Sequence, residues 1–205
     1  MAQRRPPTLL FDLGGVLYDM VAVETLNAML DVDLSDDDLK SRWLRSPAVR
    51  AFELGRTSSN HFAEAFLAEW QIALTPEEFV ERFTAFVRTP YSGAEALLEQ
   101  LRTNHVVCCL SNSNALHWRR IESFLSCFDV AFSSHLLGEI KPDAAVFVKV
   151  MEQLDVEGDS LWFFDDSRPN TDAAEALGIR SFLVDGLPAV ERALQAEGLI
   201  DGRHV

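Results

Sequence analysis

Cysteine is scarce in this chain: Cys108, Cys109 and Cys127 make an odd count with no CxxC pair. That argues against a disulfide framework, and two of the three lie in an apolar run where reduced, buried thiols are expected. Positive charge is also short, with 18 Lys and Arg against 32 Asp and Glu and a net charge of −14. That balance argues against nucleic acid as a partner, because phosphate backbones bind to a basic face. A small phosphate remains possible, but only through a local cation, either a lysine or a metal. Long apolar runs are missing too. The start from Met1 to Pro7 is basic, yet the apolar run after it is short and contains Asp12. It is neither a signal peptide nor a membrane span, so a cytoplasmic location is expected. Low-complexity tracts, internal repeats and flexible linkers are likewise absent from the sequence.

What remains is an ordinary globular composition, 48% hydrophobic over 205 residues. That length suits one domain, or one core domain carrying an insertion. The organising stretch is Thr8 to Leu17, an apolar run that ends abruptly in Asp12 and continues through Gly14 and Gly15. It reads as a buried parallel strand with a carboxylate at its carboxyl end, where open α/β sheets bind ligands.

From Tyr18 to Tyr91 the pattern is helical throughout. Val23 to Leu30 carries an apolar face, and Ser35-Asp36-Asp37-Asp38 is a strong helix start. Thr57-Ser58-Ser59-Asn60 opens another helix bearing Phe62, Phe66, Leu67 and Trp70. Thr75-Pro76-Glu77-Glu78 is a capping box with proline at the first helical position. The dense aromatics predict the core of a small helical bundle.

After Gly93 helix and strand alternate. Helices are expected over Ala94 to Arg102, Ala115 to Leu125, from Asp143 through Leu154, and over Ala173 to Leu177. Strands are expected over Val106 to Leu110, Val130 to Ser134, Leu161 to Phe164 and Arg180 to Val184. Strands spaced by single helices predict right-handed crossovers and a parallel, doubly wound sheet. The expected fold is therefore α/β, with a core from residues 1–17 and 92–205 and an all-helical insertion over 18–91.

Three strand ends then present polar groups on one sheet edge: Asp12, Ser111-Asn112 and Asp165-Asp166, with Lys141 in a neighbouring loop. Singly, each is an ordinary turn or capping residue. Together they suggest chemistry. Carboxylates from two strand ends can share a divalent cation, and hard oxygen ligands with open water positions suit Mg²⁺. A hydroxyl, the amide after it and an ammonium group form a phosphate cradle. A carboxylate can then attack phosphorus, with the cation offsetting repulsion between two anions.

These residues resemble the haloacid dehalogenase superfamily across nearly the whole chain. Phe11-Asp12-Leu13-Gly14-Gly15-Val16 looks like its first motif and Leu110-Ser111-Asn112 like its second. Lys141-Pro142 looks like the third, and Phe164-Asp165-Asp166-Ser167 like the fourth. The helical insertion is similar to the small cap of the C1-capped members, on a Rossmann-like core. The resemblance implies a Mg²⁺-dependent phosphomonoester hydrolase with Asp12 as nucleophile, forming a phosphoaspartate. It implies Asp12, the Gly14 carbonyl and Asp166 around the metal, with Asp165 beside the ligand sphere. Ser111, the Asn112 amide and Lys141 would hold the phosphoryl group of a small phosphorylated metabolite.

One departure matters. Phosphatases of this superfamily usually carry a second Asp two residues after the nucleophile as general acid and base, and here that position is Gly14. Losing such a group costs about 10²–10⁴-fold in rate. The sequence is similar to an Asp-Leu-Gly-x-Val subgroup that includes bacterial α-glucose-1-phosphate phosphatases, whose anomeric leaving group departs easily. That similarity extends to Asp19 and to the Ser111-Asn112-Ser113-Asn114 run with His117, and it makes Asp19 and His117 candidates for the missing proton transfer. Trp43, Arg45, Arg50 and Arg56 are candidates for contacting the leaving group. Two alternatives stand beside this reading. A 2-haloacid dehalogenase needs no metal and places a Ser-Asn pair where this chain has two carboxylates, which would repel each other without a cation. A catalytically impaired phosphate-binding protein would account for Gly14 but not for the other intact motifs.

Overall fold

The fold is described from a computed structural model covering residues 6–30 and 34–201. The basic start, residues 1–5, lies outside the described residues. The first strand, β1 (Thr8–Phe11), is wholly buried and sits at the centre of a five-stranded sheet. The chain then turns through Gly14 and Gly15 into a three-residue strand, β2 (Tyr18–Met20). Helices α1 (Ala22–Met29), α2 (Asp36–Arg45), α3 (Pro47–Glu53), α4 (Ser59–Trp70) and α5 (Pro76–Thr84) follow. Strand β3 (Val87–Pro90) returns antiparallel to β2.

Alternation then runs as expected from its spacing. It comprises α6 (Ala94–Leu101), β4 (Val107–Ser111), α7 (Ala115–Arg120), α8 (Glu122–Leu125), β5 (Val130–Ser133), α9 (Ser134–Leu137) and α10 (Ala144–Leu154). The chain closes with β6 (Leu161–Asp165), α11 (Arg168–Glu175), β7 (Arg180–Leu183) and α12 (Gly186–Ala196). Strand order is β5-β4-β1-β6-β7, and every pairing is parallel. This is the doubly wound α/β sheet predicted from the alternation.

Burial on both faces explains the continuous apolar strands. Leu9, Phe11, Val107, Cys109 and Phe164 face one layer, under α6, α8 and α12. Leu10, Cys108, Leu110 and Phe163 face the other, under α10 and α11. Cys108 and Cys109 are free and buried, and burial pushes the Cys108 thiol up to about 12. These are inert core residues.

The helical insertion has a core of its own, with Phe52, Phe62, Phe66, Trp70, Phe79 and Phe83 packed together. Phe52 stacks on Phe62 at 4.2 Å and Phe66 on Trp70 at 4.7 Å, distances typical of favourable aromatic pairs. Its helix starts match the sequence signals. Ser35 and Ser58 accept hydrogen bonds from Asp38 and His61 amides, and Thr75 with Glu78 forms the complete capping box.

The expectation of a purely helical insertion is corrected by the β2–β3 ribbon. Tyr18 pairs with Pro90 and Met20 with Val87, partners some seventy residues apart in a register too short to leave a period-two signal. The helix expected over Ala115 to Leu125 breaks at Ile121 into α7 and α8. Helix α11 begins at Arg168, earlier than its apolar pattern suggests, because Pro169 sits within its first turn.

Candidate active site

Asp12 follows directly on β1, and its amide donates to the Phe164 carbonyl at 2.8 Å, so the carboxylate is held at the carboxyl edge of the sheet. The Leu13 amide donates to Asp12 Oδ1 at 2.8 Å. Lys141 Nζ lies 2.9 Å from Asp12 Oδ1, 2.7 Å from Asp165 Oδ2 and 2.9 Å from the Leu110 carbonyl. An ammonium has three donors, and all three are matched. Lys141 is 3% exposed, so this is a buried ion cluster in which the ammonium is paired with a carboxylate on each side. Burial works against the Lys141 charge, but Asp12 and Asp165 overcome it and hold the ammonium well above its ordinary value.

Asp165 ends β6 and is fully committed. Its Oδ1 accepts from the Ser167 amide at 2.8 Å and from Asn170 Nδ2 at 2.9 Å, while Oδ2 takes Lys141. Asp166 is solvent-exposed, and Asp12, Asp165 and Asp166 each offer an oxygen within 4.8 Å of the others. Burial raises the Asp12 carboxyl to about 7, with Lys141 pulling it back and the charges of Asp165 and Asp166 pushing it further up. One ammonium thus faces three carboxylates. That hard-oxygen, under-compensated set has the chemistry a divalent cation such as Mg²⁺ takes.

The glycines after Asp12 differ in what they permit. Gly15 has φ +76°, and a Cβ there would come 2.8 Å from Asp166 Oδ2, so only glycine lets this turn approach the carboxylates. At Gly14 a Cβ would meet only the flexible Met20 side chain at 3.3 Å.

Ser111 ends β4, is buried, and lines a cavity of about 460 Å³ together with Asp12, Gly14, Asn112 and Lys141. Asn112 donates through Nδ2 to the Lys141 carbonyl and accepts from the Lys141 amide, both at 2.9 Å. Its side chain therefore fixes the lysine loop to the end of β4.

Neither auxiliary candidate is placed for proton transfer. Asp19 lies on β2 beside Arg88 at 3.6 Å and is not among the residues lining the cavity. His117 does line it, but the imidazole is buried and clamped. Nε2 lies 2.7 Å from the Phe83 carbonyl and Nδ1 3.1 Å from Asn114 Nδ2, which assigns the proton to Nε2. Burial lowers His117 to about 4, against the opposing pull of the Phe83 carbonyl. It ties the core to the insertion.

Of the proposed leaving-group contacts, Trp43 and Arg50 line the cavity, while Arg45 and Arg56 are exposed and do not. Arg50 pairs with Asp143 at 2.5 Å. Sequence reasoning missed Glu53. It is the last residue of α3, 9% exposed, and lines the same cavity as Asp12 and Lys141. A carboxylate closing an otherwise apolar helical turn was its only signal.

This architecture has known relatives. The model of the haloacid dehalogenase-like hydrolase family matches residues 6–178, and the chain belongs to that family. It is 28% identical over 176 residues to the sesquiterpene phosphatase astK of Aspergillus oryzae, covering 83% of this chain and 85% of that one. It is 24% identical to the D-ribitol-5-phosphate phosphatase of Bacteroides thetaiotaomicron, covering 85% and 89%. Among solved structures, the HAD family enzyme bt-2542 of Bacteroides thetaiotaomicron, in complex with magnesium and inorganic phosphate, superposes with a TM-score of 0.73. That match has 21% identity and covers 88% of this chain and 94% of that one. No helix among the described residues is long and apolar enough to cross a membrane.

Proposed function

We propose that this chain is a Mg²⁺-dependent phosphomonoesterase acting on a small phosphorylated metabolite through a phosphoaspartate on Asp12. The observation that carries the reading is the single buried cluster in which Lys141 bridges Asp12 and Asp165 beside the open Asp166 carboxylate. Asp12 and Asp166 are the candidates to hold the cation together with the Gly14 carbonyl, since both oxygens of Asp165 are already engaged. The cation, when bound, supplies the positive charge that lets a carboxylate approach a phosphate dianion.

Asp12 attacks phosphorus while Lys141 offsets part of the burial that disfavours its ionised form and orients it. With all three Lys141 donors matched, the lysine serves the phosphoryl group first as a nearby charge, and the Ser111 hydroxyl is the candidate hydrogen-bond donor from the β4 side. The paired carboxylates at 165 and 166 argue against dehalogenation, which has no cation to reconcile them.

The leaving group sits under the helical insertion. Trp43, Leu44 and Val49 of the insertion line the cavity beside Arg50 and Glu53, a largely apolar wall carrying two charged groups. This favours an apolar organic phosphate over the sugar 1-phosphate suggested by the Asp-Leu-Gly-x-Val stretch; of the two named relatives one is a sesquiterpene phosphatase and the other a polyol phosphate phosphatase. The decisive measurement is hydrolysis of p-nitrophenyl phosphate with Mg²⁺, with EDTA, and by Asp12→Asn. Activity should require the metal and Asp12. Turnover that survives either loss overturns the mechanism, and magnesium-dependent phosphate binding without turnover would instead mark an impaired binding protein. Prenyl and sugar phosphates compared side by side then test the leaving-group class.

A further inference from the structure

Gly14 leaves the reaction without a proton donor on the sheet edge, and few of the described residues around the cavity could replace it. Its titratable side chains are Asp12, Tyr18, Arg50, Glu53, His117 and Lys141. Asp12 and Lys141 bind each other, and His117 has both ring nitrogens occupied. Arg50 is paired with Asp143. Tyr18 is buried edge-on against Phe124, and burial raises its phenol above its ordinary value. Glu53 enters none of the ion pairs among the described residues.

We propose that Glu53, reaching the cavity from the helical insertion, is the general acid and then the general base of this reaction, the task Gly14 cannot perform. The proposal rests on the phosphatase reading above and adds a catalytic residue to it.

The backbone around Glu53 is built to hold it there. Helix α3 ends in a Schellman motif, with the Arg56 amide donating to the Ala51 carbonyl at 2.9 Å and the Gly55 amide to Phe52 at 3.0 Å. Gly55 has φ +69°, and a Cβ there would lie 2.3 Å from the carbonyl oxygen of His135, on α9 of the core. The end of α3 is therefore seated directly on the core, and any side chain at Gly55 would lift it. The neighbours of Glu53 suit a group that must exist in both protonation states. Burial raises its carboxyl to about 7, with the Trp43 indole N–H, Lys141 and Arg50 pulling down and Asp12 pushing up. A general acid and base works best when its value lies near the operating pH.

The steps balance. As the bond from Asp12 to phosphorus forms and the bond from phosphorus to the leaving oxygen breaks, the Glu53 carboxyl proton passes to that oxygen and the alcohol departs. Glu53, now a carboxylate, takes a proton from the water that attacks the phosphoaspartate. Inorganic phosphate leaves, Asp12 is again a carboxylate and Glu53 is again protonated.

The test is the dependence of kcat/KM on leaving-group basicity for wild type and Glu53→Gln with Mg²⁺, from p-nitrophenyl through phenyl to alkyl phosphates. A good leaving group needs little protonation and a poor one needs much. The expected loss in Glu53→Gln therefore deepens by about 10²-fold from the p-nitrophenyl to the alkyl ester. As a ratio between esters on one preparation, this readout does not depend on the fraction folded, and Glu53→Ala carries the same expectation should the amide fail to fold. An equal loss across all esters, or none, overturns the proposal and leaves Glu53 a packing or binding residue. Turnover that survives Asp12→Asn, or no wild-type turnover, overturns the phosphatase reading and this one with it. Normal dependence on Asp12 with an unchanged slope in Glu53→Gln overturns this one alone.

Discussion

The Asn112 side chain and the Lys141 backbone exchange two hydrogen bonds, each 2.9 Å, so one amide reproduces the pairing of a β-ladder between two loops. The lysine whose ammonium anchors Asp12 is thereby itself anchored to the end of β4. Preorganisation of this kind is what electrostatic catalysis requires.

Asn112→Ala removes both bonds and leaves the Lys141 carbonyl and amide to find other partners. We expect a stability loss of about 1–3 kcal/mol and a larger fall in kcat than in KM, because the charge at phosphorus is misplaced. Urea titration and steady-state kinetics on the same preparation check both halves.

Lys141→Met leaves Asp12 and Asp165 facing each other without their cation. Breaking a buried charge cluster in this way costs about 3–5 kcal/mol. Thermal unfolding should show that loss in EDTA, and Mg²⁺ should recover part of it by supplying the missing charge, with turnover still abolished. Equal melting temperatures for wild type and variant in EDTA would contradict the cluster.

Metal binding to the native state alone raises stability by mass action, about 2.7 kcal/mol at a hundredfold excess over Kd. Wild type should therefore melt higher in Mg²⁺ than in EDTA. Asp166→Asn should lose most of that increment and in EDTA should be at least as stable as wild type, because it removes a charge that repels Asp12 and Asp165.

Glu53 makes stability depend on pH with a defined sign. Its folded value, about 7, lies above the ordinary 4.5. Its stabilising contribution is therefore full below about 4.5 and is lost as pH rises through 7. Trp43, Arg50, Lys141 and Asp12 face it and set how far the loss goes. Glu53→Gln does not titrate, so its stability relative to wild type should increase between pH 5 and pH 8, by at most about 3 kcal/mol. Chemical denaturation at the two pH values reads the difference directly.

Gly55→Ala places a methyl group against the His135 carbonyl and forces an unfavourable φ on alanine. A loss of about 1–3 kcal/mol is expected, with weaker turnover of poor leaving groups than of good ones as Glu53 is lifted from the site. Thermal melts and the same ester series check it.

Much of this protein was legible in its residues. Asp12, Ser111 and Asp165 each sit at the point where a continuous apolar run stops, and the alternation of such runs with helices dictates a parallel sheet whose carboxyl edge collects them. Local signals also marked helix starts, as at Thr75 and Glu78, because capping depends on residues three apart. Only the tertiary structure decided the rest. The β2–β3 ribbon pairs residues some seventy positions apart, the clamp on His117 needs the Phe83 carbonyl from another helix, and Asn112 finds its partner on a distant loop. Glu53 is the sharpest case. In the sequence it is one acidic residue among many, and it becomes a buried carboxyl lining the same cavity as Asp12 only when Gly55 lets α3 dock on the core. Strand ends are set by local hydrophobicity, whereas what faces them across a cavity is set by how two independently packed layers close.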